Sequence, residues 1–175
     1  MPHLIPAWLG GSLIPVEPHD AHRRGLRHRA VSVFILRGQD VLIQRRALSR
    51  QHLPGLWSNS GCGHPAWQEQ PEDCAIRRLR AELGITGIYP NHRGQIEYRT
   101  RLGADLIEHE LVDLFVAYAP PELPLAPDPR EVAELRWLGI HDLAAEVARH
   151  PDQFTPWLRA CLPEHTGSIL GALQN

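Results

Sequence analysis

Two apolar runs with a tight turn between them constrain the fold of this chain more than any other feature. Ala30–Leu36 is made largely of Val, Phe and Ile, Val41–Gln44 continues in the same character, and Gly38-Gln39-Asp40 separates them. Branched and aromatic residues bounded by turn formers predict a β-hairpin. Further strands are expected at Leu13–Val16, Ile96–Arg101, Ile107–Ala117 and Glu134–Leu138, the second and third of these joined at Gly103-Ala104-Asp105. The clearest helix is Pro71–Leu83. Proline suits its first position, Glu72 and Asp73 follow at the positive end of the dipole, arginines gather toward the other end, and Gly84 stops it. Ala75, Ile76, Leu79 and Leu83 form one apolar stripe. Shorter helices are expected at Asp142–Arg149 and Thr155–Leu162, with Pro120–Pro129 as a proline-laden connector. Residues 1–29 are rich in Pro, Gly and His and are expected to form the short Leu13–Val16 strand followed by an irregular arm. Strands and helices that mix without regular alternation point to an α+β fold with a mixed sheet covered by helices on both faces.

A chain of 175 residues is expected to fold as one domain, residues 1–175, with a core large enough to need no staples and with residues 163–175 as a tail. A formal charge of −2 gives no general attraction to nucleic acid or to an anionic membrane. Three cysteines, Cys62, Cys74 and Cys161, are odd in number, widely spaced and never in a Cys-x-x-Cys pair. That argues against a disulfide framework or a zinc knuckle and for a reducing compartment. No basic stretch with a sustained apolar run opens the sequence, and no apolar run is long enough to span a bilayer. A cytoplasmic location is expected. Eleven histidines are many for this length, and metal binding is one reason to carry them.

The stretch Ser58-Asn59-Ser60-Gly61-Cys62-Gly63-His64-Pro65 puts a thiol between two glycines with an imidazole nearby. Flanking glycines allow close approach of a ligand and backbone angles that a side chain forbids, so Cys62 is expected to be presented on a bend. A tight turn with an idle thiol is the plainer reading of the same residues. Glu82 lies four residues after Arg78 on one helix face: an exposed ion pair, or a carboxylate aimed at a metal beneath the Cys62 loop. Glu108 and Glu110 flank His109, so in a strand both carboxylates project to one side and His109 to the other. Facing inward they need a cation or a shared proton; as a solvent-facing acidic edge they need neither. His109-Glu110 does not open a His-Glu-x-x-His zinc helix, because Asp113 stands where the second histidine belongs and the surroundings favour strand. His22 and His28 precede the first long strand. If the fold brings them to His64, Glu108 and Glu110, the set makes an octahedral-type site for a divalent ion, with one position open to ligand. Arg45, Arg46 and Arg50, with Arg78 available from the helix, form either a solvated face or planar forks for phosphate oxygens.

Together these residues resemble the type 1 isopentenyl-diphosphate isomerases, a metal-dependent, Nudix-like family. The resemblance rests on Arg45-Arg46-Ala47-Leu48-Ser49-Arg50, on Pro54 to Pro65 with Cys62 and His64, and on Ile76 to Gly84 with Arg78 and Glu82. Glu97-Tyr98-Arg99, Glu108-His109-Glu110 and Phe154-Thr155-Pro156-Trp157 complete it. The Nudix pattern keeps Gly63, Glu69, Arg77 and Glu82, but two of its acidic positions are Arg78 and Ala81. A Nudix hydrolase holds its magnesium ions on that acidic cluster, so the frame is present and the hydrolytic charge is missing.

The resemblance implies a Nudix-like α/β/α sandwich and a 1,3-proton shift between isopentenyl and dimethylallyl diphosphate. It implies Cys62 and Glu110 as acid and base across the substrate, Tyr98 bonded to the glutamate, and Trp157 over the cationic carbon. It implies one divalent ion, Mn2+, Mg2+ or Zn2+, on His22, His28, His64, Glu108 and Glu110. His19 is the substitute for His22, because the spacing to His28 is one residue short of the bacterial pattern. A Mg2+ ion accompanying the diphosphate would fall to Glu82 and the Cys62 carbonyl, and the diphosphate itself to Arg46, Arg50 and Arg78. A lysine of the pattern that touches diphosphate falls near Pro18, where nothing basic stands; Arg23 and Arg24 are the candidates to replace it. The implied partner is a small-molecule substrate, with neither nucleic acid nor membrane, for a monomer or weak dimer. The alternatives are a Nudix hydrolase of a nucleoside diphosphate derivative and a non-catalytic metal- or nucleotide-binding module.

Overall fold

The computed structural model describes residues 3–162 and 164–171. Its strands are β1 (Ile5–Leu9), β2 (Ser12–Val16), β3 (His28–Arg37), β4 (Asp40–Arg46), β5 (Trp57–Ser58), β6 (Gly61–Gly63), β7 (Asn91–Leu102), β8 (Leu106–Tyr118) and β9 (Val132–Gly139). Its helices are α1 (Pro18–Arg24), α2 (Pro71–Leu83), α3 (Ile140–Arg149), α4 (Pro156–Cys161) and α5 (Thr166–Leu170). The nine strands among the described residues join one mixed sheet. β3 is its hub: it runs parallel to β8 along one side, and antiparallel to β1, β6 and β4 in turn along the other. β4 carries β5 and β9, and β7 forms the outer hairpin with β8.

Alternation along the strands divides the core between two faces. Phe34, Leu36, Val112, Leu114 and Val116 pack with residues of α3, α4 and α5, while Val31, Val33, Ile35, Phe115 and Ala117 pack with α2. The expected α+β sandwich, a mixed sheet between helices, is the observed architecture. Helix α2 spans the expected residues because every local signal agrees there. Its apolar stripe buries Leu79 and Leu83 completely or nearly so, worth about 1.5–3 kcal/mol each, which holds the helix against the sheet. Gly84 closes it with φ at 67°, where a Cβ would also stand 2.8 Å from the Ala126 carbonyl oxygen.

The N-terminal region departs from expectation. Among the described residues of the 1–29 stretch there is more order than an irregular arm: β1 and β2 form a hairpin and α1 follows. Ile5, Ala7, Val16 and Ala21 give this region a small core of its own. Its helix shares two signals with α2, Pro18 opening it and Gly25 closing it at φ 62°, and adds an N-cap bond in which the Glu17 side chain accepts from the Asp20 N–H at 2.9 Å. The outer strand β7 also begins earlier than the apolar pattern suggested, through an irregularity between His92 and Gly94. In the expected tail, α5 packs Ile169 into the core, while residues 163 and 172–175 lie outside the described residues. Among the described residues no helix is long and apolar enough to cross a membrane.

Candidate active site

Strand register assembles the site. Parallel pairing sets His28, the first residue of β3, opposite Glu110 of β8. Antiparallel pairing of β6 sets Cys62 opposite Ser32 and delivers His64 just past the strand end, and α1 supplies His22. One ligand atom from each of His22, His28, His64 and Glu110 lies within 4.8 Å of the others. His22 Nδ1 sits 2.6 Å from the Pro18 carbonyl and His28 Nδ1 2.8 Å from the Leu26 carbonyl. A proton on Nδ1 satisfies each contact and leaves Nε2 as a lone pair turned to the cluster, the arrangement metal-bound histidines use.

One contact then has no partner of the right kind. His28 Nε2 is buried without a hydrogen bond and lies 3.4 Å from Glu110 Oε1. A lone pair facing a carboxylate oxygen is repulsive unless a cation lies between them. Burial, reinforced by His64 and His28, pulls His22 down to about 4, and burial lowers His64 as well. Neutral imidazoles with a buried carboxylate are a fitting donor set for a divalent ion.

Glu108 stands beside this cluster rather than in it. On β7, Tyr98 pairs with Glu110, and its hydroxyl lies 2.9 Å from Glu108 Oε2 and 2.8 Å from Glu110 Oε2. Both carboxylates therefore project inward together, as the alternation required, while His109 turns outward to Glu97. Burial, then the charge of Glu110, pushes the Glu108 carboxyl upward. Burial alone would raise Glu110 too, but its contacts with His28 and His64 outweigh it and bring that group down. Tyr98 is held well above its usual range by burial first and by the two carboxylates next.

Cys62, Glu110 and Trp157 open onto one cavity of about 230 Å³, with Arg46, Arg50 and Arg78 on its wall. The thiol is pushed up to about 12, chiefly by burial and then by Glu82, so it is protonated. It sits in strand β6, not on a bend. Gly61 and Gly63 are absent from the residues with positive φ, so their role is close packing: a Cβ on Gly63 would meet Arg78 Cδ at 2.9 Å. Trp157 is fixed from behind, its indole N–H donating to Ser58 Oγ at 2.7 Å and that hydroxyl donating to Asn59 Oδ1 at 3.0 Å.

Other expected residues are placed differently. Both Glu82 oxygens are taken, one by Arg78 and one by Gln44, and Arg78 Nε also donates to the Cys62 carbonyl at 3.0 Å. The two groups expected to meet a diphosphate-borne Mg2+ thus both face the Arg78 guanidinium. Arg45 turns away to the Gly55 carbonyl and Glu134. His19 lines the cavity but stands outside the four-residue cluster. Arg23 and Arg24 both bind Asp20 and do not reach the cavity, so neither replaces a base near Pro18. Sequence reasoning missed Ser32, His52 and Arg77 on the cavity wall and Ser58 behind the indole. The polar Ser58-Asn59-Ser60 run was the available signal for the last, since a buried indole N–H needs an acceptor.

The NUDIX domain family model matches residues 26–158, and the chain is a member of the Nudix family. A Deinococcus radiodurans protein of known structure superposes with a TM-score of 0.65 at 15% identity, covering 84% of this chain and 89% of that one. The MutT protein from Methanosarcina mazei Go1 gives 0.62 at 16%, covering 85% and 96%. At such identities these likenesses speak for the fold alone. Sequence relatives are far nearer. The Dinoroseobacter shibae protein named isopentenyl-diphosphate Delta-isomerase is 58% identical over 173 residues, 99% of this chain and 98% of that protein. Proteins of the same name from Cereibacter sphaeroides and Ruegeria pomeroyi are 58% identical over 174 residues (99% and 98% covered) and 52% identical over 168 residues (96% and 93% covered). The chain belongs to the isopentenyl-diphosphate Delta-isomerase family.

Proposed function

We propose that this protein interconverts isopentenyl diphosphate and dimethylallyl diphosphate by a 1,3-proton shift. The reading is carried by one observation: a protonated thiol, a carboxylate bonded to a tyrosine, and an indole all open on the same cavity. An unactivated alkene needs a proton at its terminal methylene from one side. The tertiary cation that results loses a proton from the methylene between the cationic carbon and the carbinol carbon, to a base on the other side. Cys62 and Glu110 serve these two ends, each as acid in one direction and base in the other. Tyr98, 2.8 Å from Glu110, relays the proton.

Trp157, locked by Ser58, offers its electron-rich face to the cationic carbon, and the enclosing walls keep water from quenching it. Arg46, Arg50 and Arg78 take the diphosphate oxygens. His22, His28, His64 and Glu110, with Glu108 alongside, would hold a divalent ion, Mn2+, Zn2+ or Mg2+, and Glu82 with the Cys62 carbonyl would meet a Mg2+ that arrives with the diphosphate. Bound there, such an ion would fix the Glu110 carboxylate and lower its proton affinity. The protein works as one domain, residues 1–175, on a small molecule in the cytoplasm, as a monomer or weak dimer without nucleic acid or membrane.

The test is conversion of isopentenyl diphosphate in D2O by metal-replete protein, followed by NMR. Dimethylallyl diphosphate carrying deuterium is expected. Cys62→Ala and Glu110→Gln should each abolish conversion, with metal content altered only in the second. Near-full activity of Cys62→Ala would remove the thiol from the chemistry. Cleavage of nucleotide sugars without conversion of isopentenyl diphosphate would overturn the whole assignment.

A further inference from the structure

Two arginines assigned to the diphosphate, Arg50 and Arg78, converge on a carboxylate outside the catalytic set. Arg50 donates to Glu131 Oε2, and an Arg78 terminal nitrogen lies 3.5 Å from the same oxygen. Glu131 is anchored by its backbone: its N–H donates to the Asp128 carbonyl at 2.9 Å and its carbonyl accepts from Ala47 at 3.0 Å. The two guanidiniums, by contrast, sit on long side chains that reach it from a loop and from α2. Glu131 is also partly open, at 27% side-chain exposure, and borders a second cavity that shares Arg50 and His52 with the catalytic one.

Glu82 plays no such part. It is buried and both its oxygens are bonded, to Gln44 and Arg78, so what would displace Arg78 from it is the Mg2+ assigned to it above and not the diphosphate oxygens. Glu131 is the exchangeable one. Arg46, Arg50 and Arg78 against Glu82 and Glu131 leave a local excess of one positive charge, which an arriving diphosphate more than offsets. Its oxygens must therefore compete with the Glu131 carboxylate for the same N–H groups.

We infer that Glu131 is a tethered counter-anion that parks Arg50 and Arg78 in the free enzyme and competes with diphosphate for them. It thereby sets how tightly substrate and product are held. The inference rests on the assignment of these arginines to the diphosphate. Substrate and product carry the same diphosphate, so anchor affinity is uniform binding that does nothing for the chemical step and, in excess, slows release. A carboxylate that competes for the anchor limits that affinity.

The test is calorimetric titration of inorganic pyrophosphate into the full chain and its variants. Glu131→Gln and Glu131→Ala should bind about 3- to 10-fold more tightly than the unaltered protein, the size expected for freeing two partly exposed ion pairs. Their affinity should fall more steeply with added salt, and both KM and kcat for isopentenyl diphosphate should drop. Glu131→Asp, which keeps the charge, should stay near the unaltered protein, and Arg50→Ala should bind more weakly. A merely structural glutamate would give weaker binding in the Gln and Ala variants. That outcome, or unchanged affinity, with Arg50→Ala still impaired, overturns the inference and leaves the diphosphate assignment standing. No pyrophosphate binding by the unaltered protein, or none lost in Arg50→Ala, overturns both.

Discussion

Removing the His28 imidazole distinguishes a metal site from a crowd of histidines that merely pack together. His28 Nε2 is buried, lacks a hydrogen bond within the protein and faces Glu110 Oε1 at 3.4 Å. An unsatisfied buried polar atom costs about 1–3 kcal/mol. His28→Ala removes that cost together with the packing of the ring, so the metal-free variant should differ little in stability. The metal response should differ greatly. An ion at about 100 times its Kd stabilises the native state by about 2.7 kcal/mol. In a chain of this size that corresponds to a rise in Tm of roughly 5–10 °C. If loss of one ligand weakens binding about 100-fold, the same ion concentration leaves RT ln 2, about 0.4 kcal/mol, or roughly 1 °C. The assay is scanning calorimetry of chelator-stripped protein titrated with Mn2+, Zn2+ and Mg2+ in turn, with bound metal counted by elemental analysis. His109→Ala, on the opposite side of β8, should keep the full response. A stripped protein whose Tm ignores all three ions, or a His28→Ala variant that responds in full, would refute the metal site.

Trp157→Ala should lower kcat by roughly 10- to 30-fold, the size of a desolvated cation–π contact, while weakening diphosphate binding much less. Ser58→Ala keeps the ring but frees the indole N–H, so it should lower kcat several-fold at unchanged KM; equal effects on both parameters in either variant would mean the ring only packs against substrate. The metal-free protein should also lose stability as pH falls from 6.5 to 4. His22 titrates near 4 when folded against 6.5 in the unfolded chain, so across that window the unfolded state binds more protons. The stabilisation present above pH 6.5 is lost on acidification, on the order of 3 kcal/mol by pH 4. Urea unfolding at pH 7, 5.5 and 4.5 measures this, and a slope that His22→Asn leaves unchanged would contradict it.

How much of this was legible depends on where each element gets its stability. Helix α2 could be read because capping, charge and stripe all lie within the segment itself. Strands β3 and β8 could be read because their apolar runs are long. Helix α1 was missed although Pro18 and Gly25 bracket it as plainly as Pro71 and Gly84 bracket α2, since a Pro-, Gly- and His-rich composition masks a short helix. Strand β6 had no local signal at all. Gly61-Cys62-Gly63 is a poor strand former, and it is extended because β3 pairs with it. The site shows the same division. Residue types at Cys62, Glu108 and Glu110 announced their chemistry, but the meeting of His28 with Glu110 depends on the parallel register of β3 and β8, which neither strand specifies alone. Glu131 gave no sign, because its role exists only through partners distant in sequence, and Ser58 offered only the polarity of its own run.

The altered Nudix helix shows why one frame can stop hydrolysing and start moving protons. Glu69 and Arg77 keep a structural role. Arg77 grips both Glu69 oxygens at 2.7 and 2.8 Å, and Glu69 also accepts from the Ala66 N–H at 2.7 Å, clamping the segment after His64 to α2. At the very next residue the charge is reversed. Arg78, where the family pattern has an acid, binds the remaining acid Glu82 and lies against Gly63, so one carboxylate paired with a guanidinium stands where the pattern has three. What this adds beside the proposed diphosphate anchors is a guanidinium and a protonated thiol, neither of which can activate water. Buried carboxyls lie instead on β8, where Glu108 and Glu110 line the same cavity and Glu110 joins three imidazoles. Separating phosphate-holding arginines from a proton-handling carboxylate in this way suits a reaction in which the diphosphate stays intact and the bonds that change are carbon–hydrogen bonds.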